Sequence, residues 1–155
     1  MDRRNLTPVG CITLVLALGG LGASPSAAQD ACRDGPNASS LECGDNADAS
    51  GTSGATAVGD NADASGAEST ALGEASEASG FQSTAVGEQA VASASFATAI
   101  GNFARATAAD SVALGASALA SGIDSMALGK SANATSANAI ALGASSEASG
   151  SGALA

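Results

Sequence analysis

The chain has 155 residues, and among them are no histidine, no tryptophan, no tyrosine and only 3 phenylalanines. Histidine is the commonest catalytic acid or base near neutral pH, so its absence argues against most enzyme classes, although carboxylate chemistry remains open. The composition is also unlike that of an ordinary globular domain. We therefore expect no enzyme, no catalytic residues, no cofactor and no metal site.

Positive charge is scarce. Lysine and arginine number 5 against 15 aspartates and glutamates, which gives a net charge of -10. A surface this acidic repels the phosphates of nucleic acids and the headgroups of anionic lipids. Nucleic acid is therefore not an expected partner.

An apolar run of moderate length occupies residues 9–21, after the basic residues Arg3 and Arg4 and before a small-residue stretch that ends at Ala28. This layout predicts a secretory signal peptide over residues 1–28, cut after Ala28. A membrane anchor is the alternative, but the run is short of the about 20 residues that a spanning helix needs. We expect an exported chain that does not itself insert into a membrane.

Cysteine is also scarce, with 3 in the chain, of which Cys11 lies inside the predicted signal peptide. The remaining pair, Cys32 and Cys43, favours a disulfide in an oxidising compartment; two free thiols packed as small apolar residues are the alternative. Such a bond would contribute about 2–3 kcal/mol. We interpret residues 29–43 as an N-terminal cap that covers the exposed edge of the first repeat.

What the sequence has in abundance is repetition. From Gly44 to Ala155 a phrase such as Ser111-Val112-Ala113-Leu114-Gly115 returns every 14 residues, with one residue extra in the first unit, within residues 52–55. Units start at the glycine that closes the phrase, and positions are numbered from it. The units begin at Gly44, Gly59, Gly73, Gly87, Gly101, Gly115, Gly129 and Gly143. A fixed period of this size predicts stacked units that bury a core only together.

Each unit contains two short alternating stretches, which predict two strands. Alanine favours helix, but a glycine about every seven residues and an apolar spacing of two argue against it. Disorder, the other alternative, does not explain the regular aliphatic residues. Glycines at positions 1 and 8 are expected to turn the chain with positive φ angles. The sequence therefore predicts an all-β fold, a parallel β-roll or β-solenoid of 14-residue coils over residues 44–155.

The second stretch has larger residues at positions 12 and 14, for example Val112 and Leu114. Side chains two residues apart share a face, so we predict that this pair fills the roll. The alanine between them is then predicted to face outward and to pack against another copy of the chain. These candidate contact residues are Ala71, Ala85, Ala99, Ala113, Ala127 and Ala141.

Position 5 carries the variable residues of the first stretch. Asp48, Asp63 and Glu77 predict an acidic column, for which a solvated face is favoured over a calcium site. Further along the same column, Val91, Arg105 and Leu119 form a candidate ligand patch, since a cation lies between two apolar side chains. Incidental surface, or contact with a neighbouring chain, is the alternative.

Three further sets of residues remain open. Phe81, Phe96 and Phe103 fall in predicted turns, where they anchor a ligand or pack over roll ends and protomer seams. Asp110 and Asp124 share position 10 but lack a partner base, which argues against paired catalytic carboxylates. A ladder of Thr70, Thr84 and Thr98 raises the hypothesis of an ice-binding surface, which the predicted inward orientation of these threonines disfavours.

The phrase at residues 111–115, with five looser copies, resembles the head repeat of trimeric autotransporter adhesins, the YadA-like proteins of Gram-negative bacteria. The resemblance implies a left-handed parallel β-roll and a homotrimer, to which the outward alanines would contribute. It also implies attachment to host extracellular matrix, to cell-surface proteins or to other bacteria, at the outer membrane or cell surface.

The family's neck, coiled-coil stalk and membrane anchor are not found in this sequence, and the last repeat is incomplete at Ala155. We interpret the chain as a truncated fragment of a longer adhesin, or as a secreted or periplasmic stand-alone head. A structural spacer without a ligand is the alternative to the adhesin function.

Overall fold

The computed structural model describes residues 32–37 and 39–155; the signal peptide predicted over residues 1–28 lies outside them. Parallel strands dominate, and each of the five coils over residues 73–142 supplies one two-residue strand and one three-residue strand. The strands are β1 (Arg33–Asp34), β2 (Leu41–Cys43), β3 (Thr56–Val58), β4 (Thr70–Leu72), β5 (Glu77–Ala78), β6 (Thr84–Val86), β7 (Val91–Ala92), β8 (Thr98–Ile100), β9 (Arg105–Ala106), β10 (Val112–Leu114), β11 (Leu119–Ala120), β12 (Met126–Leu128), β13 (Asn133–Ala134), β14 (Ile140–Leu142) and β15 (Glu147–Ala148).

These strands form two sheets. The nine-stranded sheet has the order β1-β2-β3-β4-β6-β8-β10-β12-β14, and the six-stranded sheet has the order β15-β13-β11-β9-β7-β5. Neighbouring coils pair in parallel and in register, so that Val112 lies opposite Met126, 14 residues later. The predicted all-β parallel solenoid of 14-residue coils is confirmed.

Two β-turns per coil connect the sheets. In the coil of residues 101–114, the first turn is closed by a hydrogen bond from Ala104 N to Gly101 O (3.1 Å). Its third residue, Phe103, has a φ of 57°. The second turn has the same form, with Ala97 N donating to Ala94 O at 3.2 Å in the preceding coil. A positive φ at the third residue is the feature of a type II turn.

The glycines of the turns have two different roles. Gly115, at position 1, has a φ of 132°, and a Cβ added there would lie 2.5 Å from the carbonyl oxygen of Gly129. Gly80, at position 8, is not among the residues with positive φ, but an added Cβ would lie 2.0 Å from the carbonyl oxygen of Ala94. The prediction of positive φ is therefore wrong at position 8, where glycine instead permits close approach of the next coil.

The space between the two sheets holds only small side chains. Every buried hydrophobic residue in the described part of the chain is an alanine, and the largest fully buried side chains are serines. These residues occupy positions 4, 6, 11 and 13 of the coils. Most buried serine hydroxyls find partners nearby, as that of Ser111 donates to Ala108 O at 2.6 Å, but the buried hydroxyl of Ser125 has none. The interior is thus a stack of methyl and hydroxymethyl groups.

The orientation predicted for the three-residue strands is wrong. Ala113 is 0% exposed, whereas Val112 and Leu114 are half-buried on the outside of the roll. The predicted outward alanines are all fully buried within their own chain: Ala71, Ala85, Ala99, Ala113, Ala127 and Ala141. The physical reason is that a close-packed interior of alanine and serine leaves no volume for a valine or leucine side chain.

The N-terminal residues cover the edge of the first coil. Strand β1 pairs with β2 in the antiparallel sense, with Asp34 opposite Leu41. Cys32 and Cys43 are joined by a disulfide bond with a Cα–Cα distance of 4.2 Å. The side chain of Asn37 also donates to Gly51 O. Together these contacts close an edge that would otherwise expose unpaired backbone groups.

Glu42 takes the place that alanine has in the later coils. In those coils the position 6 amide donates to the coil before, as Ala64 N does to Asp48 O at 2.7 Å. No coil precedes the first one in the described part of the chain, and here Ala49 N donates to the Glu42 carboxylate at 3.0 Å. Glu42 is only 8% exposed. Its carboxylate thus substitutes for the missing strand carbonyl.

The substitution Ala113→Leu is expected to destabilise the fold by about 1–3 kcal/mol or more, because it overfills the interior. The free energy of unfolding in urea measures the effect. The matched control is Ala116→Leu in an exposed turn of the next coil, where a change within about 0.5 kcal/mol is expected. Equal stabilities of the two variants would contradict the inward orientation of Ala113.

Replacing Glu42 with alanine is expected to cost about 1–3 kcal/mol, because the buried amide of Ala49 loses its acceptor. Urea unfolding again provides the measurement, and Glu74→Ala in an exposed turn is the control. A Glu42→Ala variant as stable as the unmodified chain would show that the carboxylate has no capping role.

Candidate functional site on the outer faces of the solenoid

The outer face of the nine-stranded sheet carries a continuous column of aliphatic side chains. Since successive residues of a strand point to opposite faces, burial of the central alanine places positions 12 and 14 outside. Position 14 is aliphatic in seven successive coils, all in register. We call this set the outer aliphatic column: Val58, Leu72, Val86, Ile100, Leu114, Leu128 and Leu142.

The outer aliphatic column is a continuous strip and differs from the isolated apolar residues found on most protein surfaces. At about 4.8 Å per coil it extends for about 29 Å along the solenoid. Its members are half-buried by one another or exposed, with Ile100 at 40% and Leu142 at 62%. A contiguous exposed apolar strip of this kind is typical of an interaction surface. Its burial would supply hydrophobic free energy that the alanine interior supplies only weakly.

Position 12 forms a second column on the same face, and its chemistry changes along the solenoid. Its first four members are Thr56, Thr70, Thr84 and Thr98, and its next three are Val112, Met126 and Ile140. The prediction that these threonines face inward is wrong. The outer face remains predominantly apolar, because the threonines lie beside the outer aliphatic column. It is most apolar in the C-terminal coils, where position 12 is also apolar.

The outer face of the six-stranded sheet brings the predicted ligand patch together. Val91 pairs with Arg105, and Arg105 pairs with Leu119, in successive strands. The Arg105 side chain is exposed and makes no ion pair or hydrogen bond with another described residue. The three side chains therefore form a contiguous surface in which a free cation is flanked by two half-buried apolar groups.

The acidic residues of the same column also lie in register. Asp48 bridges to Asp63, and Asp63 bridges to Glu77. Asp48 and Glu77 are exposed, whereas one carboxylate oxygen of Asp63, which lies between them, is buried without a hydrogen-bond partner. In the described part of the chain no group of three or more such side chains is arranged to hold a metal ion. The column is therefore an acidic surface that is only partly solvated.

The phenylalanines lie in turns, but at two different corners of the coil. Phe81 and Phe96 occupy the second turn of successive coils and contact each other, with ring centroids 5.5 Å apart and planes at 86°. Phe103 lies in the first turn, at the opposite corner. All three rings are between 43% and 48% exposed. Sequence analysis missed the Phe81–Phe96 pair because the two residues are 15 apart, one more than the coil period.

Asp110 and Asp124 lie at the second turn of adjacent coils, and both are exposed. A general acid and a general base must both reach a bound substrate, usually in a cleft that excludes water. Asp110 and Asp124 are instead exposed at equivalent corners of the repeat. Their geometry is that of surface charge.

Sequence analysis also missed the outer aliphatic column, although a signal for it was present. Position 11 is alanine or serine in every coil and shares its face with the alanine at position 13. Together with positions 4 and 6, this gives one consistent set of small residues, which identifies the interior.

Among the described residues, no helix has the length and apolar character that a membrane crossing requires. The YadA head domain repeat matches the chain over residues 49–76, 78–104, 96–118, 106–132, 120–146 and 134–155, and all of these ranges but the first overlap a neighbouring one. No curated protein matches the chain. The matched residues take in nearly every coil of the solenoid, including both outer faces.

Proposed function

The chain belongs to the YadA head domain repeat family, and from this premise we propose that it is the head of an exported adhesin. In this proposal the solenoid attaches to host extracellular matrix, host cells or other bacteria through repeated weak contacts. The family and the fold are of an adhesin kind and not of a known enzyme family. The export signal is the segment predicted over residues 1–28, and the site of action is the cell surface.

The observation that carries the proposal is the outer aliphatic column. A monomer would leave about 29 Å of contiguous aliphatic surface in water. Three copies that pack with the outer faces of their nine-stranded sheets toward a common axis would bury it. The alanine interior supports the same conclusion, because methyl groups alone bury little apolar area per coil. We therefore propose a homotrimer held by the outer aliphatic column.

Trimer formation would leave the outer face of the six-stranded sheet and the turns free to bind. The patch of Val91, Arg105 and Leu119 is our candidate ligand surface on that face. A trimer presents three such patches, and linked sites gain avidity far beyond the affinity of each one. Weak individual contacts are therefore sufficient for attachment.

The mature chain is expected to sediment as a trimer. Combining Leu114→Asp with Leu128→Asp is expected to release monomers, because burying unpaired charge costs several kcal/mol. Sedimentation equilibrium gives the mass, and circular dichroism checks that the strands persist. Leu119→Asp is the matched control, since Leu119 belongs to the same coil as Leu128 but lies on the other sheet. A folded monomer of the unmodified chain would refute the proposed trimer.

Arg105→Ser is expected to weaken binding of the trimer to a surface coated with extracellular matrix proteins by about tenfold or more, the effect of losing one good contact of about 1.4 kcal/mol. Biolayer interferometry measures the apparent affinity. Lys130→Ser removes the same charge from an exposed turn and is expected to leave binding unchanged. If a folded trimer binds no matrix protein or cell, the chain is a structural spacer; if Arg105→Ser binds normally, the patch is not the ligand surface.

A further inference from the structure

A second exposed surface lies at the corner formed by the second turns of the coils. Phe96 N donates to Phe81 O at 2.8 Å, which fixes one residue above the other. Their rings meet edge to face and are 43% and 48% exposed. Edge-to-face packing leaves one ring face open to solvent, and the face of an aromatic ring is its electronegative side. The pair therefore offers an apolar surface that also attracts cations.

Carboxylates continue this corner in the next coils. Asp110 N donates to Ser95 O at 3.1 Å, and Asp124 N donates to Ala109 O at 3.1 Å, so both residues occupy the same position as Phe96. Both are exposed, and neither carboxylate makes an ion pair or hydrogen bond with another described residue. On the other side of the aromatic pair, Glu68 accepts a hydrogen bond from Gln82 at 2.6 Å.

Among residues 44–155, no positively charged side chain belongs to this corner. None of the 5 lysines and arginines of the chain lies at positions 8 to 10 of any coil. The aromatic pair therefore has carboxylates on both sides and no internal cation to neutralise them. Charge complementarity requires a cationic occupant, and the aromatic pair requires one with an apolar or planar surface.

We infer that the corner formed by Phe81, Phe96, Asp110 and Asp124 binds an arginine-bearing segment of a partner protein. A guanidinium stacks on aromatic faces and pairs with carboxylates in a planar, two-pronged geometry, which an ammonium group does not reproduce. Two coils separate Phe96 from Asp124, about 9.6 Å; arginines two residues apart in an extended segment have backbones about 6.8 Å apart, and their long side chains reach over the remainder. One arginine lies on the phenylalanine pair and a second, two residues on, faces the carboxylates. The inference rests on the proposed adhesin function and names a chemical class of partner for it.

The experiment uses the mature chain and three short glycine-rich peptides that carry two arginines, two lysines or two citrullines at alternate positions. Citrulline keeps the shape of arginine but lacks its charge. Nuclear magnetic resonance titration gives both the affinity and the residues that respond. We expect arginine peptide to bind most tightly, citrulline peptide at least fivefold more weakly, and the largest shifts at residues 81, 96, 110 and 124.

Each phenylalanine is replaced by the residue that occupies the equivalent position of a neighbouring coil, so that the variant is expected to fold. Phe81→Ser introduces the residue found at the equivalent Ser95, and Phe96→Gln introduces that found at Gln82. The two changes together are expected to weaken arginine peptide binding about fivefold. Phe103→Ser is the matched control, because Phe103 is 46% exposed in the opposite turn and its φ of 57° is close to the 59° of Phe96. This variant is expected to bind the arginine peptide as tightly as the unmodified chain does.

Equal binding by all variants, equal binding of lysine and arginine peptides, or shifts confined to the acidic column of Asp48, Asp63 and Glu77 would each overturn the inference in favour of general acidic attraction. Its failure is distinct from failure of the proposed function. If a trimer adheres to matrix but does not bind the arginine peptide at this corner, the proposed adhesin function stands and only this partner class is excluded.

Discussion

The close approach of the two sheets is the constraint on which the rest of the structure depends. Each coil returns on itself through two four-residue turns, and the sheets that result leave space for one methyl or hydroxymethyl group on each side. Alanine and serine therefore line the interior from Ala47 to Ala148. Every larger apolar residue of the repeat is excluded and must lie outside. The glycine at position 1 has a separate cause, the close stacking of successive coils, because a Cβ at Gly115 would collide with the backbone of Gly129 in the next coil.

This constraint reverses the usual distribution of apolar residues, because the small ones fill the interior and the large ones lie on the outer faces. The outer faces therefore carry the side chains that can bind another molecule. In an ordinary domain the leucines stabilise the monomer. Here they form a strip on the surface, and the stability they can provide requires another protein surface to cover it. The two outer faces then differ in kind, since the nine-stranded sheet presents a uniform column and the six-stranded sheet presents residues that change from coil to coil. Uniformity suits contact between identical chains, and variation suits recognition of a partner.

Much of this architecture could be predicted from the sequence. The 14-residue period, the two strands and the in-register columns follow from the spacing of glycine and aliphatic residues. The face on which Val112 and Leu114 lie could not be read from size alone, because larger apolar residues ordinarily mark the interior and here the turns make the interior too narrow for them. The capping role of Glu42 could not be predicted either, since it depends on the amide of Ala49, which has no strand carbonyl to donate to because no described coil precedes it. The contact of Phe81 with Phe96 depends on the path of a turn, which spacing does not encode.

The most direct test of the account is an isotope-filtered nuclear Overhauser experiment on trimers assembled from a mixture of labelled and unlabelled chains. It separates contacts within a chain from contacts between chains. We predict that the methyl groups of Ala99, Ala113 and Ala127 contact only their own chain, whereas those of Leu114 and Leu128 contact a neighbouring chain. Contacts between chains from the alanine methyl groups, with the leucines in contact only within their own chain, would contradict it.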